Sequence, residues 1–114
     1  MNNLKKMKLL RNEQNALNEV LSMLIQKFPI KRVILFGSKA RGDFDEYSDI
    51  DLLFVMDKVL DIKNEKLIVE NLYEIGIKYD VLFNSLRTSV EEWNGIFKHF
   101  PIYNEIKNDG IQIL

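Results

Sequence analysis

Two adjacent residues in the first half of the chain could hold the phosphates of a nucleotide. Gly37 and Ser38 directly follow the apolar, β-branched run 32–36, which is typical of a buried strand that ends in a tight turn. A glycine has no Cβ, so a phosphate can approach its main chain. The serine adds a hydroxyl at the start of a helical turn whose N–H groups favour anions. These two residues therefore predict one half of a triphosphate site.

A pair of alternating carboxylates could supply the other half. Asp49 and Asp51 open a second apolar run, 49–56, which is typical of a buried strand. Because side chains alternate between the faces of a strand, the two carboxylates should point the same way, roughly 6 to 7 Å apart, with Ile50 turned into the core. Magnesium usually takes one or two protein carboxylates and completes its shell with water and substrate phosphates. Two such ions about 3.5 to 4 Å apart support in-line displacement at phosphorus.

A third carboxylate, Asp80, could complete this metal site. The segment 78–83 has the composition of a short strand, and Asp80 is a lone charge between Tyr79 and Val81. A bare aspartate on a buried strand is costly unless it is paired or bound to metal. If this strand lies beside 49–56, Asp80 faces the same ions and can act as general base on an attacking hydroxyl. The alternative is a solvent-facing carboxylate on an edge strand.

Two related motifs do not fit the segment. Gly37 and Gly42 have the spacing of a P-loop, but Asp43 and Phe44 occupy the positions of its lysine and serine or threonine. A calcium loop starting at Asp43 would need glycine and glutamate at its sixth and twelfth positions, where the chain has serine and phenylalanine. A polar loop of turn residues remains the simplest alternative to a nucleotide site.

The motifs resemble the signature of the DNA polymerase β-like nucleotidyltransferase superfamily, in particular its minimal nucleotidyltransferase (MNT) branch. The resemblance rests on Gly-Ser-Lys-Ala-Arg-Gly at 37–42 and Ser-Asp-Ile-Asp-Leu at 48–52, with Asp80 matching a separately encoded third carboxylate. It implies an α+β fold in which helices pack on a small mixed β-sheet. It also implies one nucleotidyltransferase domain over residues 1–114.

The resemblance implies roles for individual residues. Gly37 and Ser38 bind the triphosphate, and a catalytic trio, Asp49, Asp51 and Asp80, ligates magnesium.

The neighbouring basic residues are open to more than one interpretation. Arg41 matches a family position and could contact phosphate or pair with a nearby acid such as Asp49 or Asp45. Lys39 is expected to be an exposed loop lysine. His99, the only histidine, has no motif partner and is expected to be structural or on the surface.

The activity implied by the resemblance is transfer of AMP from ATP to a hydroxyl, with two Mg²⁺ ions. MNT proteins of this size commonly act as antitoxins that adenylylate a tyrosine of a HEPN-domain ribonuclease toxin. With 114 residues there is room for one domain and none for a second that would present the acceptor. Either a partner protein completes the wall of the active site, or the partner is itself the acceptor, as the resemblance implies. The alternatives are a non-catalytic antitoxin that neutralises its toxin by complex formation, and a small-molecule nucleotidyltransferase that acts as a dimer.

The composition predicts a cytoplasmic protein. Hydrophobic residues make up 46% and charged residues 29%, ordinary values for a globular domain, and the absence of cysteine excludes disulfides and thiolate zinc sites. No apolar stretch is long enough for a signal peptide or a membrane span. A net charge of −1 argues against direct nucleic-acid binding. The expected partners are ATP and a toxin protein, and homo-oligomers stay open.

Periodicity and capping residues predict the surrounding scaffold. The predicted elements are an amphipathic helix over 12–27, a helix capped by Asp61 and closed by Gly76, a segment capped by Thr88 or Ser89, a helix from Pro101 to Gly110 and a strand within 111–114. A cluster of aromatic residues could form core or interface, or stack on adenine; its members are Trp93, Phe97, Phe100 and Tyr103.

Overall fold

The fold is built on a small mixed sheet with helices packed on it, as the resemblance implies, and the helices cover both faces. A computed structural model describes residues 9–43 and 48–114, and these contain a four-stranded sheet. The elements in chain order are α1 (Arg11–Lys27), β1 (Ile30–Phe36), the single turn α2 (Ser38–Arg41), β2 (Ile50–Met56), α3 (Ile62–Tyr79), β3 (Phe83–Ser89), α4 (Val90–Asn94), a 3₁₀ turn (Ile96–His99), α5 (Pro101–Asp109) and β4 (Ile111–Gln112). The strand order is β3-β2-β1-β4, with β1 antiparallel to β2 and β4, and β2 parallel to β3.

The two faces of the sheet bury separate cores, because successive side chains of β2 point to opposite faces. Ile50 and Leu52 belong to a core with α1 and α3. Leu53 and Val55 belong to a second core with residues of α4 and α5, including Trp93. Ile50 is fully buried, as the sequence predicts. Asp51 therefore lies on the face of the sheet that carries α4 and α5.

Most of the predicted scaffold is confirmed. The Asp61 carboxylate caps α3 by accepting a hydrogen bond from the Asn64 N–H at 2.8 Å. Ser89 caps α4 in a reciprocal capping box with Glu92. Helix α5 begins at Pro101, its C-cap is Gly110, and a short strand follows.

The predicted end of α3 is wrong, and so is the predicted strand over 78–83. Helix α3 continues past Gly76 to Tyr79, and β3 begins only at Phe83. Asp80 is the C-cap of α3, in the left-handed conformation with φ +56°. Aspartate is one of the few non-glycine residues that adopt this conformation readily.

Packing explains why the helix extends beyond the glycine. Tyr79 lies one turn after Ile75 and packs against the same core, so the buried stripe of α3 continues. Gly76 is buried inside the helix, where a Cβ would collide with the main-chain oxygen of Val81. This glycine therefore permits close passage of the chain that leaves the helix.

Within the two described ranges, the structure contains no helix with the length and apolar character needed to span a bilayer.

Candidate active site

Asp51 lies at the centre of the candidate site, between two neighbouring strands. Its partner in β1 is Phe36, the last residue of that strand, and its partner in β3 is Asn84. The Gly37 turn therefore begins at the level of Asp51. The carboxylate, the turn and Asn84 meet at one end of the sheet.

The Gly37 turn makes room for the Asp51 carboxylate. Gly37 has φ +74° and ψ −157°, a region that is essentially restricted to glycine. A Cβ at this position would collide with Asp51 Oδ2. In addition to its predicted roles in the turn and in phosphate approach, Gly37 therefore contacts the Asp51 carboxylate. The predicted phosphate turn thus lies against one of the predicted metal ligands.

Ser38 begins the single helical turn α2. The Gly37 carbonyl accepts hydrogen bonds from the N–H groups of Ala40 and Arg41, at 3.1 and 3.0 Å. The turn closes at Gly42, whose N–H donates to the Ser38 carbonyl at 2.8 Å. These bonds fix the backbone around Ser38 close to the carboxylates.

Asp49 and Asp51 form an anionic pair at the start of β2. Burial raises the pKa of Asp51, and the charge of Asp49 raises it further, whereas a hydrogen bond from Asn84 and the charge of Arg41 lower it. The two carboxylates therefore lie close enough to interact. A bound cation would relieve both their repulsion and the cost of burying Asp51.

Arg41 pairs with acids outside the carboxylate pair. Its Nε lies 3.1 Å from Asp43 Oδ2 and a terminal nitrogen lies 3.7 Å from Asp109 Oδ2. The hydrogen bond to Asp43 is the main reason that the pKa of Arg41 is raised. Asp49 and Asp45 were the candidate acid partners of Arg41. Its ion-pair partners among the described residues are Asp43 and Asp109, and Asp45 lies outside that part of the chain. Arg41 remains exposed and within electrostatic reach of Asp51, so a phosphate contact is still open to it.

Lys39 is buried, contrary to the expected exposed loop lysine. Its Nζ lies 2.6 Å from Glu13 Oε2, and both side chains are almost inaccessible to solvent. The other oxygen of Glu13 accepts a hydrogen bond from the Leu10 N–H at 2.9 Å. Glu13 is on α1, so this ion pair ties the Gly37 turn to the first helix. The prediction failed because the partner lies far away in the sequence.

Asp80 does not lie opposite Asp51 in the sheet. It lies before β3, and the residue beside Asp51 is Asn84, whose Nδ2 donates to Asp51 Oδ1 at 3.2 Å. Within residues 9–43 and 48–114, no three His, Cys, Asp or Glu side chains form a group that could hold a metal ion. The expectation that Asp80 faces the same ions rested on the wrong strand, so its catalytic role stays a prediction.

Asp80 instead lines a cavity of about 650 Å³ between α3 and the segment 80–85. Other lining residues include Tyr73, Ile77 and Leu82, which expose large apolar surfaces. Phe83, which also lines it, packs on the core of α1 and α3. The cavity therefore lies on the face of the sheet opposite Asp51.

The aromatic cluster mainly forms core. Trp93 is buried, with ring centroids 4.6 Å from Tyr103 and 5.6 Å from Phe97. Phe100 packs edge-on against Phe97 but stays partly exposed. His99 is exposed at the end of the 3₁₀ turn, as expected for a surface residue.

The donor set suits a hard divalent cation. Asp51 lies beside the amide of Asn84 and within electrostatic reach of Asp49. Magnesium prefers such oxygen ligands and needs few of them from the protein. Burial and the charge of Asp49 both disfavour the ionised form of Asp51, and a bound cation would favour that form.

The mixed sheet, the Gly37 turn and the carboxylate pair define an α+β protein of the nucleotidyltransferase class. The nucleotidyltransferase domain family matches residues 17–110, and the chain therefore belongs to that family as an enzyme.

Two relatives from Methanocaldococcus jannaschii, both provisionally named protein adenylyltransferases, are similar to this chain in sequence. One is 39% identical over 85 residues, which cover 73% of this chain and 80% of the relative. The other is 40% identical over 92 residues, which cover 78% and 84%. The predicted membership of a nucleotidyltransferase family is thereby confirmed.

Solved structures share the fold. A protein from Sulfolobus solfataricus, provisionally described as a nucleotidyltransferase, has a TM-score of 0.54 at 22% identity, covering 96% of this chain and 80% of its own. A toxin-antitoxin complex with AMP-PNP has a TM-score of 0.60 at 17% identity, covering 92% and 73%. A complex of tri-AMPylated Shewanella oneidensis HEPN toxin with MNT antitoxin has a TM-score of 0.55 at 17% identity, covering 89% and 71%.

Proposed function

We propose that this nucleotidyltransferase uses magnesium to transfer AMP from ATP to a tyrosine of a HEPN ribonuclease toxin, and so acts as its antitoxin. The observation that carries the proposal is the contact between the Gly37 turn and the Asp51 carboxylate, with Asp49 alongside. This contact supports the proposal because it joins the predicted triphosphate turn to a predicted metal ligand.

The comparisons support the choice of donor and acceptor. The M. jannaschii relatives are named for transfer of adenylyl groups to protein. Among the structures with the same fold, one is a toxin-antitoxin complex with an ATP analogue, and another contains a HEPN toxin that carries AMP groups.

In this proposal, the chain's residues hold the reacting groups in line. The Gly37 main chain and the Ser38 hydroxyl bind the terminal phosphates, and the exposed Arg41 can reach them when its surface ion pairs open. Asp49 and Asp51 would hold magnesium, which neutralises charge on the phosphoryl oxygens. The tyrosine oxygen attacks the α-phosphorus as the bond to pyrophosphate breaks, and Asp80 is the predicted acceptor of the phenol proton.

That last role depends on the position of Asp80 at the C-cap of α3. As the base, it would have to approach the phenol from the side of the sheet that carries the α3 cavity. Asp80→Asn then abolishes transfer while ATP binding persists. Transfer at the wild-type rate in D80N would remove Asp80 from the mechanism and leave the rest of the site in place.

Mass spectrometry of the partner tests the function directly. A HEPN protein encoded beside this chain is co-expressed with the wild type and with an Asp49→Asn, Asp51→Asn double variant. Added AMP on a tyrosine is expected only with the wild type. A partner that is neutralised but unmodified would contradict catalysis and support neutralisation by complex formation.

A further inference from the structure

We propose that Asn84 is a positioning residue that holds Asp51 against the Gly37 turn, in the place where a third carboxylate was predicted. The inference rests on the proposed function, because it concerns how this site orients a metal ligand.

The sheet register places Asn84 beside Asp51. Strands β2 and β3 are parallel, and Asn84 is the Cα partner of Asp51. The pairing is continuous from Ile50 with Phe83 to Met56 with Ser89. The position of Asn84 beside Asp51 is therefore fixed by seven consecutive residue pairs between the two strands, and it does not depend on the conformation of a loop.

The two oxygens of Asp51 have different neighbours. Oδ1 accepts a hydrogen bond from the Asn84 amide at 3.2 Å, and Oδ2 lies where a Cβ of Gly37 would be. A carboxylate that is held by one oxygen has a restricted rotamer. Asn84 thus directs the second oxygen toward the turn that is proposed to bind the triphosphate.

An amide serves this purpose better than a carboxylate would. The Asn84 NH₂ group donates a hydrogen bond to Asp51, whereas an ionised aspartate only accepts. A third carboxylate would also add a like charge next to Asp51, whose ionisation the charge of Asp49 already disfavours. The described part of the site therefore combines two charged ligands with one neutral partner.

Manganese binding, followed by electron paramagnetic resonance, measures this role without requiring catalysis. Asn84→Ala is compared with the wild type, and Asn104→Ala on the exposed side of α5 is the control. Because partners that orient a metal ligand typically contribute 10- to 100-fold to metal affinity or activity, N84A should weaken Mn²⁺ binding by about 10-fold or more. N104A should bind Mn²⁺ like the wild type, and circular dichroism should show that all three are folded.

A double-mutant cycle shows whether Asn84 acts through Asp51. In an Asp51→Ala background, N84A should cause no further loss of Mn²⁺ affinity. The same fold-loss in both backgrounds, or wild-type affinity in N84A alone, would overturn the inference.

The outcome is separable from that of the proposed function. If the wild type binds Mn²⁺ and the N84A and D51A variants give the expected double-mutant cycle, but the partner carries no AMP, only the proposed adenylylation is contradicted. AMP transfer by the wild type with unchanged Mn²⁺ affinity in N84A contradicts the role of Asn84 alone.

Discussion

At the scale of single residues, Asp51 meets more constraints than any other side chain that the structure describes around the site. Its carboxylate occupies the position that a Cβ of Gly37 would take, and it accepts a hydrogen bond from Asn84. The charges of Asp49 and Arg41 shift its pKa in opposite directions. Burial disfavours its charged form, and a bound cation would offset this cost. This is a common property of active sites, which often trade stability for function.

The contact between Gly37 and Asp51 leads to a prediction with a matched control. Gly37→Ala should lose Mn²⁺ binding and several kcal/mol of unfolding free energy, because strained φ/ψ alone costs about 1 to 3 kcal/mol and the new Cβ displaces the carboxylate. Gly42→Ala also places alanine at positive φ, +84°, but its Cβ would meet nothing within 4 Å. G42A should therefore cost only about 1 to 2 kcal/mol and keep Mn²⁺ binding. Equal loss of Mn²⁺ affinity in the two variants, measured beside chemical denaturation, would refute the contact.

The raised pKa of Asp51 predicts how stability depends on pH. Since the folded state holds this proton more tightly than the unfolded state, the carboxylate lowers stability as pH rises from its ordinary pKa of 3.8 through the raised value. Asp51→Asn should therefore be more stable than the wild type at neutral pH without metal. The gain should be about 0.5 kcal/mol, because water screens this partly exposed group. It should vanish below pH 3.8.

Thermal melts with EDTA check this prediction, and melts with Mg²⁺ and a non-hydrolysable ATP analogue provide the counterpart. Ligand should stabilise the wild type more than D51N, since only the wild type keeps both carboxylates. A D51N protein that melts below the wild type in EDTA at pH 7 would show that the carboxylate stabilises the empty site.

At the scale of elements, an ion pair between α1 and α2 holds the Gly37 turn in place. Lys39 and Glu13 are almost completely buried, and Glu13 also accepts the Leu10 N–H. Burial of one such charge without the other is strongly unfavourable. The pair thus ties the start of α1 to the residue that follows Ser38.

Removal of the lysine charge should therefore destabilise the protein. Lys39→Met should cost about 3 to 5 kcal/mol, because the Glu13 carboxylate stays buried without its cation. A Glu13→Gln, Lys39→Met double variant should recover part of this loss. Lys78→Met is the control, since Lys78 also binds a glutamate of α1, Glu19, but on the surface. Urea denaturation should show a much smaller change for K78M, and equal losses in K39M and K78M would contradict the structural role of the buried pair.

The boundary between α3 and β3 shows where local patterns mislead. The run from Lys78 to Phe83 has strand-like composition, yet the stripe of Ile68, Leu72 and Ile75 continues to Tyr79 at helical spacing. That spacing was the available signal for a longer helix. Gly76 resembles a helix end, but it is needed for close passage of Val81, a contact that sequence spacing does not reveal.

At the scale of the whole molecule, the sheet brings together groups that are far apart in the chain. β1 ends at the Gly37 turn, β2 carries Asp51 as its second residue, and β3 supplies Asn84 at the same level. The helices cover the two faces and leave this end of the sheet to the site.

The predictable part of the site was the part encoded locally. Gly37, Ser38, Asp49 and Asp51 follow from two strands and a spacer, so their arrangement could be anticipated from turn chemistry and strand alternation. Asn84 and the burial of Lys39 depend on register and on helix packing, which are set by contacts distant in sequence. Helix caps such as Asp61 were predicted correctly because they depend on neighbouring residues. The strand predicted over 78–83 was wrong because the end of α3 depends on contacts distant in sequence.

Transfer of label from α-labelled ATP to the co-expressed HEPN partner is the most direct test of the central claim. The wild type should label the partner with magnesium and lose this activity in EDTA. An Asp49→Asn, Asp51→Asn variant should remain folded and transfer no label. A control that removes two exposed carboxylates elsewhere, Asp57→Asn with Glu105→Gln, should label the partner like the wild type. Undiminished transfer by D49N/D51N would show that these aspartates are not the catalytic metal ligands.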